Sequence, residues 1–122
     1  MFNRIEVEVL PRGTRRGPTL RVLIDGEDLA ARVVGPGGRG PFAAELADGG
    51  PLWGSPAGRR LVLGEPECTG GCCGWISVLV RRHPALVEWT DWELPLLGER
   101  LPDLHFEAGP YDAELARAAA PR

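Results

Sequence analysis

The sequence predicts an α+β fold: a mainly antiparallel sheet of about five or six strands, with a C-terminal helix packed on one face. Three observations carry that prediction. Apolar and polar residues alternate over 5–9 and 20–24, the period of a half-buried strand. The apolar run GWISVLVRR, a proline-marked turn and the alternating ALVEWTDW form a hairpin pattern. Only the last segment, GPYDAELARAAA, sustains a helical apolar stripe. At 122 residues the chain has the length of one compact domain, 1–122, rather than two.

The elements follow in order. Ile5, Val7 and Val9 alternate with Arg4, Glu6 and Glu8, and Leu20, Val22 and Ile24 make the returning strand. Between them Pro11 to Pro18 reads as a turn carrying Arg12, Arg15 and Arg16, and Asp25-Gly26 closes the second strand. In EDLAARVV, Leu29 and Val33 stand four apart and favour a helical turn. From 35 to 58, eight Gly and four Pro fill half the positions, so no long regular element fits. PFAAELAD alone has helix grammar there, with Gly40 before Pro41. An irregular loop tacked down by Phe42, Leu46, Leu52 and Trp53 is the expectation, and a binding lid the alternative.

RRLVLGEP predicts a short strand. In GWISVLVRR both faces are largely apolar, which places that strand centrally, covered on each side. Val87 and Trp89 face one way on the next strand, with Glu88 and Thr90 opposite; regular alternation turns Glu88 away from Asp91 and Glu93. After a loop marked by Pro95, Gly98 and Pro102 comes the strand LHFE. In the last helix Pro110 suits the first turn, Arg117 suits the C-terminal end, and Tyr111, Leu115 and Ala118 or Ala119 line one face.

Composition removes some chemistry. All 14 basic residues are arginine, which excludes a Schiff-base lysine and a phosphate-binding P-loop. The net charge of −3 disfavours nucleic acid and anionic membrane as partners. That charge is uneven. Residues 1–24 carry +3 and the remainder −6, and eight acids lie between Glu88 and Glu114 against the single Arg100. MFNRIEVEVL lacks an apolar leader, and the three cysteines are an odd number, so a cytoplasmic protein with reduced thiols is expected.

The most specific local feature is ECTGGCCGW, which places Cys68, Cys72 and Cys73 on a glycine-rich turn before the central strand. Small apolar packing of the thiols is the plain reading. Zinc is the alternative, with His105 as fourth ligand, because His83 lies roughly 26 Å along an extended strand from the turn. Redox chemistry, or a thiol enzyme using Cys72 or Cys73 with His105, is a further alternative. Glu88, Asp91 and Glu93 read as an acidic edge, able to steer a basic protein partner and to block strand pairing. The four tryptophans read as core or seam residues rather than a base-stacking platform. The sequence thus favours a non-enzymatic protein-binding or regulatory domain.

The succession LRVLIDGEDL, a Gly/Pro-rich middle, LGEPECTGGCCGWISVLVRR, LVEWTDW and HFEAGPYDAELARA resembles an uncharacterised family of small actinobacterial proteins with a Cys/Gly-rich turn before a central strand. The resemblance covers about residues 19 to 118 and implies no activity. The chain departs from that pattern at Gly70, where the second cysteine of a Cys-x-Cys turn is expected.

Overall fold

In the computed structural model, residues 2–14, 17–34, 38–66, 75–94 and 101–120 are described. Their elements are β1 (Ile5–Thr14), β2 (Gly17–Ile24), α1 (Leu29–Val34), β3 (Gly38–Arg39), a 3-10 turn (Ala43–Leu46), β4 (Arg59–Pro66), β5 (Ile76–Arg82), β6 (Leu86–Glu93), β7 (Leu104–Glu107) and α2 (Ala108–Ala119). The fold is α+β, mostly sheet. Five strands pair antiparallel in the order β3-β4-β5-β6-β7, and β1 and β2 form a second, two-stranded sheet. The central place of β5 follows from its apolar composition: Ile76, Val78 and Val80 have no exposed surface.

Two seams join the sheets. At the first, Asn3 bridges to Phe106: its N–H donates to the His105 carbonyl at 2.7 Å, and its side-chain oxygen accepts the His105 N–H at 2.9 Å. At the second, Thr19 bridges to Phe42 and the Leu20 N–H donates to the Pro41 carbonyl at 2.7 Å. Backbone approaches so closely here that a Cβ on Gly40 would sit 2.0 Å from the Leu20 carbonyl oxygen. The curled sheets enclose one core, in which Leu20, Leu61, Leu63, Val87, Trp89 and Phe106 are almost wholly buried.

The two strands extend into the expected Pro11–Pro18 turn, β1 to Thr14 and β2 from Gly17. Leu10 pairs with Thr19 and Thr14 with Gly17, so β1 spends two extra residues between those pairs. Pro11, which has no N–H to give a ladder, falls inside that irregularity.

Helix α2 buries Ala108, Tyr111, Leu115 and Ala118, the stripe its sequence spacing sets. It packs against β1, β6 and β7. The Tyr111 ring lies 5.1 Å from Phe106, which lies 5.3 Å from Trp89, all in tilted or edge-on contact. On α1, Asp28 accepts the Ala31 N–H at 3.0 Å as an N-terminal cap, and Leu29 is buried.

From 38 to 58 the chain packs down instead of standing open. Leu46 and Leu52 are buried, and the Trp53 indole donates to the Leu46 carbonyl at 2.8 Å. Arg82 ties this segment to β5: its Nε donates to the Trp53 carbonyl at 2.9 Å, and its backbone N–H to the Ser55 carbonyl at 2.8 Å. The helix grammar of PFAAELAD yields only the 3-10 turn, whose Glu45 carboxylate accepts the Phe42 N–H at 2.8 Å. Among the described residues no helix is long and apolar enough to cross a membrane.

Candidate functional site

Tight closure of the β5–β6 hairpin builds the site. The His83 N–H donates to the Leu86 carbonyl at 2.8 Å, which places Arg81 opposite Glu88; on the other side Glu88 lies opposite His105 of β7. Residues 79 and 81 of β5, 88 and 90 of β6, and 105 of β7 alternate with the core-facing set, so they share the outer sheet face.

On that face the Glu88 carboxylate sits between both histidines of the chain. His83 Nε2 lies 2.5 Å from one carboxylate oxygen and His105 Nε2 3.3 Å from the other. The Glu88 side chain is 26% exposed and each imidazole 44%. A neutral imidazole donates from Nε2 only as the Nε2–H tautomer, so the hydrogen bond to Glu88 selects that tautomer for a neutral His83. His83 enters through the turn: it is a diagonal neighbour of Glu88, the relation that brings side chains together across a hairpin.

A bulge then reorganises the end of β6. Ser77 pairs with Glu93 but Leu79 pairs with Thr90, so β6 carries one residue more than β5 across this interval, and Asp91 adopts φ +51°. The extra residue reverses the expected alternation. Trp92 returns to the inner side, edge-on to Trp89 at 6.1 Å, and Glu93 comes to the outer face with Glu88. Arg60 of β4 donates to the Asp91 carbonyl at 2.6 Å and lies 3.4 Å from the Glu93 carboxylate.

Of the residues selected from sequence, Glu88, Glu93 and His105 therefore share one face, with Asp91 exposed at its kink. Cys68, Cys72 and Cys73 lie outside the described residues. The structural partner of His105 is Glu88. Among the described residues no group of three His, Cys, Asp or Glu side chains could hold a metal ion. Neither serine is placed as a nucleophile: Ser55 accepts the Gly58 N–H at 3.0 Å, and Ser77 is buried. His83 lies far along the strand from the cysteine turn, and that distance hides its place beside Glu88. The signal for it was the tight turn itself, RRHPAL, which sets His83 two positions from the partner of Glu88.

Elsewhere, a cleft of about 210 Å³ lies between the β1–β2 hairpin and α2, lined by charged groups that include Glu6, Arg21 and Arg117. At its wall the Glu114 carboxylate accepts the Val7 N–H at 2.7 Å, while Arg117 donates to the Val7 carbonyl at 2.7 Å. Hydrogen bonding from Arg117 outweighs partial burial and holds the Glu114 carboxyl below its ordinary range. Burial raises the Glu45 carboxyl and pushes the Tyr111 hydroxyl far up.

No protein-family model matches the chain, and no curated protein or solved structure matches it. Fold and face together define an α+β domain whose sheet presents a polar, ionisable outer surface.

Proposed function

We propose that the chain is a non-enzymatic, cytoplasmic binding domain that engages a basic protein surface through Glu88, Asp91 and Glu93. The observation that supports this reading is the β6 bulge, which brings Glu93 to the face that bears Glu88 and leaves Asp91 exposed between them. Exposed ion pairs such as Arg60–Glu93 contribute about 0–1 kcal/mol, so a partner's cations displace them at little cost. Concentrated surface charge of one sign steers association more than it adds affinity, and salt screens it.

Binding of a fluorescent nona-arginine peptide, standing in for a basic partner surface, tests this reading. The expected result is binding that weakens steeply with salt and is lost in the triple variant Glu88→Gln, Asp91→Asn, Glu93→Gln. No binding at low salt, or equal binding by the triple variant, overturns it.

A further inference from the structure

We infer that His83, Glu88 and His105 form a pH-sensitive charge switch on the outer sheet face, beside the β5–β6 turn and the edge strand β7. The geometry carries this inference: two half-exposed imidazoles, one from the β5–β6 turn and one from β7, address the two oxygens of a single carboxylate. Their chain positions, 83 and 105, are remote, and only the β5–β6–β7 register brings them to Glu88.

Imidazole is the side chain whose ordinary titration, near about pH 6.5, falls in the physiological range. With both rings neutral, the unit has a charge of −1, and Glu88 is hydrogen-bonded to His83 alone while His105 lies 3.3 Å away. With both rings protonated the unit has a charge of +1, and the carboxylate gains a charge-assisted bond from His83, the stronger kind, and an ion pair with His105. Other charged groups share this face. They are Arg81 opposite Glu88 on β5, Glu93 and the exposed Asp91 along β6, Glu107 beside His105 on β7, and Arg60 on β4. The N-terminal segment adds Asn3, whose carboxamide donates to Asp25 at 2.7 Å. Four carboxylates against two guanidiniums leave the face at −2 above the transition, and two imidazoliums cancel that charge below it.

The switch itself stands on this geometry; its effect on a partner rests on the binding reading above. Two measurements separate them. The Glu88 Cδ chemical shift, followed by NMR from pH 7.5 to 5.5, is expected to move in the wild type and to stay still in the double variant His83→Gln, His105→Gln, with the backbone amide spectrum reporting that the variant is folded. A Cδ signal that is static in the wild type, or that moves equally in the folded double variant, overturns the switch. Nona-arginine binding at low salt is expected to weaken roughly tenfold between pH 7.5 and 5.5 in the wild type and to stay constant in the double variant. Binding that is constant in the wild type, or weakens equally in the double variant, overturns the gating of this face. Absence of peptide binding at pH 7.5 removes the binding reading alone, and the Cδ measurement still decides the switch.

Discussion

The Tyr111 hydroxyl donates to the Leu52 carbonyl at 2.6 Å, where neither residue reaches water. The same oxygen accepts the Trp89 indole N–H at 3.2 Å. One phenol thus links α2, β6 and the glycine-rich segment, and leaves each of these buried polar groups with a partner. Tyr111→Phe keeps the ring packing but strands the Leu52 carbonyl and the Trp89 N–H. The expected cost is about 1–3 kcal/mol in chemical denaturation.

The bulge is the second point of test. An L-residue at φ +51° is strained unless its side chain is short and polar, and a β-branched residue tolerates that conformation worst. Asp91→Val is expected to cost about 1–2 kcal/mol, and Asp91→Gly to be neutral or slightly stabilising. Thermal melts of both variants check this, and equal melting temperatures would count against the bulge.

At the second seam, Gly40→Ala sets a methyl group 2.0 Å from a backbone oxygen that has no rotamer to escape through. The expected loss is about 2–3 kcal/mol. Hydrogen exchange should report it first at the Leu20 N–H, which donates across this seam.

Glu114 sets an acid limb to stability. Its carboxyl titrates lower in the folded protein than in the unfolded chain, chiefly because Arg117 hydrogen-bonds the ionised form. The stability it contributes is therefore fully present above the unfolded value of 4.5 and is lost as pH falls through the lower, folded value. Glu114→Gln keeps an acceptor for the Val7 N–H but removes the charge. Urea titrations should find it about 1 kcal/mol less stable at pH 7, with the gap narrowing as acid protonates the Glu114 carboxyl.

Much of the fold was legible because period and punctuation are local properties. LHFE occupies β7 and RRLVLGEP occupies β4 residue for residue, and the Tyr111, Leu115, Ala118 stripe is the buried side of α2. Division into two sheets was not legible, since the seams at Asn3 and Thr19 are backbone bridges between segments far apart in the chain. The site was legible in part. Glu88 and His105 stood out by type and by neighbourhood, but their contact depends on register. Glu93 was assigned to the wrong face because nothing in the alternation of EWTDWE announces an extra residue at Asp91.

By itself, then, the sequence determined the types of the longer elements, the central place of the apolar strand, the absence of lysine chemistry, and the uneven charge between the two ends of the chain. Each of these follows from composition or short-range periodicity, which act residue by residue. Tertiary structure alone decided which charged groups meet. Strand register and one left-handed residue place His83, Glu88, Glu93 and His105 on a common face. Side-chain direction flips with every single-residue shift of a strand, so that arrangement is fixed only once the strands have paired.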